Sequence, residues 1–282
     1  MTVLTLRGLA REGAAFLTER GVADAAFDAR QLLLHRFSLD PTDFLLHGDR
    51  SVSEAEVKDF RALLERRAAG EPLQYILGQW DFCGGTFSVG PGVLIPRPET
   101  EQLAEICIEA VRARGLKVVY DLCAGTGCIG LTVAKACPQA DVYLFELYDG
   151  AYAYLEKNAA AFGLPNVRLV RADVLQGAPE GLPAPDLIVS NPPYIRAEEI
   201  AGLQKEVGFE PVTALDGGAD GYVFYRSIAE QWLPLLSKGG FAAMECGEGQ
   251  PETVAALFGA HLHCDVVNDL YGVPRFVTGT KT

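Results

Sequence analysis

Apolar residues recur at helical spacing through the first 77 residues, and no strand pattern interrupts them. The run LTLRGLAREGAAFLTERG ends at Gly21, and DAAFDARQLLLHRF begins at Asp24, a residue type that favours helix N-termini. In SVSEAEVKDFRALLERRAAG, Ser53 and Glu56 have the spacing of a capping box. With one or two further turns in PLQYILG, the pattern predicts a small helical domain over residues 1–85.

The pattern changes between Trp80 and Pro98, where aromatic and β-branched residues alternate with glycines. Such alternation predicts a β-hairpin. A long amphipathic helix, PETEQLAEICIEAVRARG, follows with proline at its start and glycine at its end. We therefore predict a second domain over residues 86–282, which begins with a hairpin linker.

Strand-like and helical segments alternate through the rest of the chain, which predicts an α/β domain whose parallel sheet is covered on both faces. The last two strand-like runs are joined only by LYGVP, so the last strand is expected to be antiparallel. The strand-like runs number seven: KVVYDLC, DVYLFE, VRLVRAD, DLIVS, GFAAMEC, LHCDVVND and RFVTGTK.

Composition narrows the class of protein. Apolar residues make up 49% of 282, no apolar run reaches membrane-spanning length, and the N-terminal residues lack the apolar stretch of a signal peptide. Seven cysteines without a C-x-x-C pair suit reduced thiols in the cytoplasm. The sequence HLHC at 261–264 has no further ligand group nearby, so no metal site is expected.

The net charge of −13 makes a basic or neutral protein a more natural partner than nucleic acid, because nucleic-acid interfaces are basic. A local basic patch on an acidic protein remains compatible with this balance. We expect neither direct nucleic-acid binding nor membrane association.

The segment VVYDLCAGTGCIG has the pattern of a strand, a glycine turn and the start of a helix. Gly125 and Gly127 permit a sharp turn that brings backbone N–H groups and a helix N-terminus to a ligand. GTGCIG also satisfies G-x-G-x-x-G, and Glu146 at the end of the next strand is placed to bind ribose hydroxyls. A nicotinamide-dependent dehydrogenase is therefore one candidate.

Two further acids favour a different ligand. Asp121 lies just before the glycine loop, where its carboxylate can meet an ammonium group and would repel a pyrophosphate. Asp173 ends the third strand, where it can accept a hydrogen bond from the amine of adenine. Together with the loop, these carboxylates indicate a cationic amino-acid nucleoside, S-adenosylmethionine.

The fourth strand is followed by NPPY. The side-chain oxygen of Asn191 and the backbone carbonyl of Pro192 can accept both hydrogens of a planar NH₂ group, either a carboxamide or an adenine amine. Prolines stiffen this edge and remove competing donors, and Tyr194 can stack on a flat group. Because a sulfonium methyl is strongly electrophilic, methyl transfer depends on in-line placement of the nitrogen and exclusion of water more than on a general base.

These motifs resemble the HemK/PrmC family of release-factor glutamine methyltransferases along nearly the whole chain. NPPY alone is shared with adenine-specific DNA methyltransferases, whereas IPRPETE joined to EPVTALDGG is far more specific. The supporting segments are DAR at 28–30, RRAAGEPLQYILG at 66–78, GVLIPRPETE at 92–101, DLCAGTGCIG at 121–130, SNPPYI at 190–195 and EVGFEPVTALDGGADGYVFYRSI at 206–228.

The resemblance implies a Rossmann-like class I methyltransferase domain of seven strands, together with a small N-terminal helical domain and a β-hairpin linker that help to dock the protein substrate. It implies methylation of the side-chain amide nitrogen of glutamine in the Gly-Gly-Gln motif of release factors, which leaves S-adenosylhomocysteine. By position, the residues that bind the cofactor are Cys123, Ala124, Gly125, Thr126, Gly127, Glu146, Val174 and Asn191, and those that hold the glutamine are Asn191, Pro192, Pro193 and Tyr194.

Some positions depart from the family pattern. Val174 stands where the family often packs a larger side chain beside adenine, and Cys123 and Ala124 replace a glycine or small polar pair. Arg97 and Glu99 are interpreted as a local ion pair or as part of a cofactor lid. Two related activities remain open: methylation of a glutamine in a large-subunit ribosomal protein, and methylation of adenine in DNA.

Overall fold

The computed structural model describes residues 4–282, which divide into two compact units. The smaller unit runs to Gln79 and takes in Gln204–Phe209, and the larger unit comprises Trp80–Leu203 and Glu210–Thr282. The division therefore lies at Gln79, before the predicted boundary at residue 85, and includes a distant segment that no local pattern indicates.

The smaller unit is helical, as predicted. Ser53 and Glu56 form the expected capping box, whereas the side chain of Asp24 occupies the N-cap position of its helix without making a capping hydrogen bond. Fully buried leucines and Phe60 form its core. Its helices are α1 (Leu6–Thr18), α2 (Ala25–Phe37), α3 (Pro41–His47), α4 (Glu54–Ala68) and α5 (Leu73–Leu77).

A buried arginine explains why a distant segment belongs to the smaller unit. Arg67 on α4 donates from Nε to Asp28 Oδ2 and from Nη2 to Glu206 Oε1, both at 2.6 Å. Arg67 and Asp28 are 6% and 4% exposed. Because buried charges are stable only when paired, this network holds Gln204–Phe209 against the helices.

The predicted hairpin is present as β1 (Gln79–Phe82) and β2 (Gly85–Ser88). Phe82 and Phe87 are buried edge to face, with ring centroids 6.0 Å apart, in the core of the larger unit. A boundary at residue 85 would cut between the paired strands. Strand pairing and aromatic packing therefore place the hairpin with the larger unit.

The larger unit contains a seven-stranded sheet in the order β5-β4-β3-β6-β7-β9-β8. The pairs from β5 through β7 are parallel, and β9 is antiparallel to both of its neighbours, which confirms the predicted last strand. The strands are β3 (Val118–Leu122), β4 (Asp141–Glu146), β5 (Val167–Arg171), β6 (Leu187–Ser190), β7 (Phe241–Glu245), β8 (Leu262–Asn268) and β9 (Pro274–Lys281).

Helices lie between most of these strands: α6 (Pro98–Arg114), α7 (Cys128–Ala136), α8 (Asp149–Phe162), α9 (Val223–Ser227) and α10 (Pro251–Phe258). The predicted helix around α9 continues as a π-turn, Ile228–Trp232, and a 3₁₀ turn, Leu233–Leu235, because Pro234 lacks the N–H that an α-helix needs. Further 3₁₀ turns are Val174–Gln176, Ile200–Gly202, Val207–Phe209 and Val212–Ala214.

The larger unit has two buried apolar clusters. One cluster joins side chains of α6 and α7 to the sheet, including Leu103 and Leu131. The other contains Phe145 and Trp232, whose ring centroids are 5.1 Å apart. Both clusters hold the parallel strands rigidly, so the residues at the strand ends have fixed positions. None of the helices between residues 4 and 282 has the length and apolar character needed to cross a bilayer.

Candidate active site

A pocket opens within the larger unit where the parallel strands β3, β4, β5 and β6 end. Most of the predicted site residues line it: Cys123, Ala124, Gly125, Thr126, Glu146, Asp173, Val174, Asn191 and Pro193. The other predicted residues lie outside the lining: Asp121, Gly127, Pro192 and Tyr194.

The glycine loop requires left-handed backbone. Gly125 and Gly127 have φ of +57° and +80°, and a Cβ on Gly127 would lie 2.6 Å from Leu155 Cδ1. Gly125 would meet nothing nearer than 3.9 Å, so its side-chain position opens into free space. Cys123 has φ of +58°, a conformation that costs an L-residue about 1–2 kcal/mol. Cys123 is therefore accommodated in the loop with a strained backbone conformation.

Glu146 ties this loop to the end of β4. Its Oε2 accepts a hydrogen bond from the backbone N–H of Gly125 at 2.9 Å, and its Oε1 accepts from those of Leu147 and Tyr148 at 2.8 and 2.9 Å. The residue is 7% exposed and lines the pocket. A carboxylate has about four lone-pair sites, so one remains for a ligand.

Two further carboxylates lie close to the loop. Asp121 is fully buried, its Oδ2 accepts from Gly130 N at 2.8 Å, and its Oδ1 has no hydrogen-bond partner among the described residues. Burial raises the pKa of Asp121 to about 7. Asp173 Oδ1 accepts from Leu175 N at 2.9 Å and lines the pocket. The acids predicted on three strand ends are therefore brought together.

The charge of the pocket suits a cation better than a pyrophosphate. Among the described residues that line it, Arg97 is the one basic side chain, and Glu210 Oε1 already binds its Nη2 at 2.5 Å. Carboxylates and apolar side chains such as Leu147 make up much of the remaining wall. The carboxylates of Glu146 and Asp173 and the open space at Gly125 fit an amino-acid nucleoside with positive charge. S-adenosylmethionine has this character.

NPPY follows β6 as expected. Ser190 Oγ donates to Leu122 O at 2.6 Å and so ties the end of β6 to the end of β3. Asn191 comes next and lines the pocket, with its Nδ2 donating to Thr100 Oγ1 at 3.2 Å. Pro192 and Pro193 are buried. The structure therefore places an amide side chain and a glycine loop at one cavity.

The loop LDGGADG, residues 215–221, packs against NPPY, and this contact explains why position 217 is glycine. Ile195 N donates to Leu215 O at 2.9 Å, and Gly217 N donates to Ile195 O at 2.8 Å. A Cβ on Gly217 would lie 2.7 Å from Tyr194 Cα, so the two segments approach too closely for any side chain there. This packing rigidifies the residues that follow Asn191.

Tyr194 lies behind the pocket wall. Its backbone carbonyl accepts from Gln250 Nε2 at 3.0 Å, and its ring lies against Gly247. Burial raises the pKa of the phenol to about 12, so the side chain stays neutral. The structure gives Tyr194 a place in the packing of this loop, and its stacking on a substrate stays a prediction.

Comparison with known proteins agrees with this geometry. Residues 9–78 match the family model of the PrmC N-terminal domain, and residues 93–207 match the methyltransferase small domain. A release factor glutamine methyltransferase of Geobacter sulfurreducens is 39% identical over 98% of this chain and 97% of its own length. One of Clostridium botulinum is 33% identical over 99% and 100%. The chain belongs to the release factor glutamine methyltransferase family.

Solved structures with the same fold include more distant methyltransferases. A T. thermophilus 16S rRNA methyltransferase, solved with AdoMet and guanosine, aligns with a TM-score of 0.51 and 22% identity over 72% of this chain and 50% of its own. The hMettl16 catalytic domain, solved with an RNA hairpin, aligns with a TM-score of 0.56 and 15% identity over 78% and 81%. These likenesses confirm the Rossmann-like methyltransferase fold that the family resemblance implied.

Sequence reasoning missed several polar contacts in this family member. Arg97 pairs with Glu210 across 113 positions of sequence, in place of the local pair with Glu99. Glu210 is 5% exposed and also accepts from Ile95 N at 3.1 Å, so it fixes the segment before α6. Thr100 Oγ1 accepts from Asn191 and donates to Glu245 on β7, and so links Asn191 to that strand. Its only sequence signal is its place inside the PETE motif.

Proposed function

We propose that this chain transfers a methyl group from S-adenosylmethionine to the side-chain amide nitrogen of the glutamine in the Gly-Gly-Gln motif of peptide chain release factors. The observation that carries the proposal is the presence of Asn191 and Glu146 on one pocket, in a chain whose full-length relatives bear the name of this activity. A release-factor substrate places the reaction in the cytoplasm, which suits seven free cysteines.

The cofactor half of the pocket has its own set of groups. The loop from Cys123 to Gly127 gives close backbone approach, Glu146 offers a carboxylate oxygen for ribose hydroxyls, and Asp173 offers another for the adenine amine. Val174, 4% exposed, provides a small apolar contact beside the adenine. When bound, S-adenosylmethionine supplies an electrophilic methyl group.

The substrate half is built around two oxygen acceptors. Asn191 Nδ2 is taken by Thr100, which leaves Asn191 Oδ1 for the amide NH₂ of glutamine. We propose the Pro192 carbonyl oxygen as the second acceptor, since the hydrogen bonds of the described residues give it no donor. Pro193 on the wall and the clasped Tyr194 keep this edge rigid, so the acceptors are oriented before the substrate arrives.

The pocket needs no dedicated general base. A carboxamide nitrogen becomes acidic once it is alkylated, so its proton is lost to solvent as the methylated product leaves the pocket. The carboxylates that line the pocket are Glu146 and Asp173, and both are tied to backbone N–H groups on the cofactor side. The task of Asn191 and Pro192 is to place the amide nitrogen in line and exclude water from it.

The helical unit and the hairpin are proposed to contribute to docking of the release factor. The family resemblance supports this role, and the match of residues 9–78 to the PrmC N-terminal domain shows that the unit is characteristic of the family. We propose that no nucleic acid takes part, since the chain has a net charge of −13.

The decisive experiment incubates the purified protein with methyl-labelled S-adenosylmethionine and a release factor, then locates the label by mass spectrometry. One methyl group on the Gly-Gly-Gln glutamine is the expected result, and a release factor with alanine in place of that glutamine is the control. Large-subunit ribosomal protein and duplex DNA are run in parallel. Label in either of these, with none in the release factor, would overturn the proposed substrate.

A further inference from the structure

A series of three side chains leads from the sheet to the edge of the pocket. Thr100 Oγ1, on the first turn of α6, donates to Glu245 Oε2 at the end of β7 across 2.7 Å. Asn191 Nδ2 in turn donates to Thr100 Oγ1 across 3.2 Å. Thr100 and Glu245 are each 2% exposed, so water does not compete for these bonds.

The chemistry of the hydroxyl group fixes the direction of this series. A threonine hydroxyl has one hydrogen and two lone pairs, and an ionised carboxylate only accepts. The hydrogen of Thr100 is therefore committed to Glu245, and its oxygen can only accept from Asn191. The amide of Asn191 must then turn its NH₂ group to Thr100 and its oxygen away from it.

We propose that Thr100 and Glu245 are positioning residues, which hold the Asn191 side chain with Oδ1 presented to the substrate amide. This inference rests on the proposed function, because it assigns Asn191 Oδ1 as an acceptor for the glutamine NH₂ group. An unrestrained asparagine would present NH₂ in place of oxygen in a fraction of molecules, and that orientation offers the substrate donors only. The positioning thus selects the productive orientation.

Protonation of Glu245 would reverse the donor and acceptor roles in this series of hydrogen bonds. Burial raises the pKa of Glu245 to about 7, and a protonated carboxyl can donate to Thr100, which frees the threonine hydrogen for Asn191 Oδ1. Activity should therefore rise as pH increases through this range. The charged and titratable groups that face Glu245 are Arg97 and Glu99 before and on α6, Cys128 on α7, Tyr194 after β6, Tyr225 on α9, Cys246 after β7 and Arg275 on β9.

The first test separates the hydroxyl of Thr100 from its volume. Thr100→Val keeps the shape and removes both hydrogen bonds, and Thr100→Ser keeps the hydroxyl. We expect Thr100→Val to lower kcat for release-factor methylation by about 10- to 100-fold with little change in cofactor affinity, and Thr100→Ser to recover most of that loss. Thr278→Val, at another buried threonine on β9 and outside the pocket, is the matched control.

The second test follows the direction of the series without any substrate. NMR of asparagine labelled with ¹⁵N reports the side-chain NH₂ group of Asn191 during a pH titration of the whole protein. In the wild type its resonances should shift with a midpoint near the pKa of Glu245, and in Glu245→Gln this shift and the acid limb of kcat should both disappear. The inference is overturned if the Asn191 NH₂ resonances of the wild type do not shift with pH and Thr100→Val is fully active.

The two tests also distinguish this inference from the proposed function. If release factor is methylated but Thr100→Val matches the wild type, or Thr100→Ser is as slow as Thr100→Val, the positioning role fails and the function stands. If the NMR titration behaves as expected while release factor stays unmethylated, the proposed function fails and the hydrogen-bond series stands.

Discussion

The carboxylate of Asp121 accepts a hydrogen bond at 2.8 Å from the backbone N–H of Gly130, on the first turn of α7. A Cβ on Gly130 would lie 2.8 Å from the same oxygen, so the contact requires a glycine. Asp121, which the sequence predicted to bind a ligand, therefore already anchors the helix turn that follows the glycine loop. Its second oxygen is buried without a partner among the described residues.

This burial predicts a pH dependence of stability. The pKa of Asp121 is raised to about 7, so the folded state keeps a proton that the unfolded chain releases at lower pH. The contribution of Asp121 to the free energy of unfolding should therefore fall as pH rises from about 4 to about 7. Urea unfolding at several pH values measures this. The free energy of unfolding of Asp121→Asn, taken relative to the wild type, should increase as pH rises across this range.

Glu245 contributes in the same direction, since burial also raises its pKa to about 7. Glu245→Gln should therefore flatten the profile independently, and the double variant should be flatter than either single variant. Stability profiles of Asp121→Asn and Glu245→Gln that run parallel to the wild-type profile through this pH range would contradict both assignments.

The side chain of Asn191 is predicted to contribute much more to turnover than to cofactor binding. Asn191→Ala removes one of two acceptors for the substrate NH₂ group, so kcat should fall by about 10²–10³-fold, as for loss of one preorganised hydrogen-bonding group. Radiolabel transfer to a release factor measures kcat, and calorimetry measures cofactor affinity. Full activity in this variant would remove the proposed mechanism.

The two glycines of the loop should respond differently to alanine. At Gly127 a Cβ would meet Leu155 at 2.6 Å and lie within 3.2 Å of Leu131 and Leu144, so Gly127→Ala must displace the packed core. At Gly125 the same change meets no close atom and should cost only the left-handed backbone, about 1–2 kcal/mol.

Thermal unfolding with and without S-adenosylmethionine checks this pair. We expect Gly127→Ala to have the lower midpoint in the absence of ligand. Gly125→Ala should lose ligand-induced stabilisation more than intrinsic stability, because its side-chain position lies on the pocket wall. Equal effects of the two variants on the unliganded midpoint would refute the distinction.

Two adjacent arginines on α4 make a matched test of the smaller unit. Arg67→Met leaves the buried carboxylate of Asp28 unpaired and should cost about 3–5 kcal/mol, as expected for loss of one member of a buried ion pair. Arg66→Met removes a pair with Glu71 whose arginine is 46% exposed, and should cost no more than about 1 kcal/mol.

Chemical denaturation gives both free energies, and hydrogen exchange locates the effect. In Arg67→Met the amides of Gln204–Phe209 should exchange faster, because their link to α4 through Glu206 is lost. Unchanged exchange in this segment would mean that other contacts hold it in the smaller unit.

The sequence by itself determined the elements whose causes are local. Helical periodicity predicted α1, α2, α4 and α5 of the smaller unit but not the short α3. The alternation of strand-like and helical segments predicted the seven strands, and the short LYGVP connection predicted the antiparallel last strand. The rule that parallel strands present their carboxyl ends at one edge predicted that Glu146, Asp173 and Asn191 share a pocket. These inferences depend on spacing along the chain, which a single sequence displays.

Tertiary structure alone decided the contacts between distant positions. The pairing of Arg67 with Glu206 and of Arg97 with Glu210 spans 139 and 113 residues, and it sets both the domain division and the pocket wall. The hydrogen-bond series through Thr100 is of the same kind. Polar side chains find such partners only after the backbone has folded, because burial makes an unpaired group costly and so selects whichever partner the fold brings near.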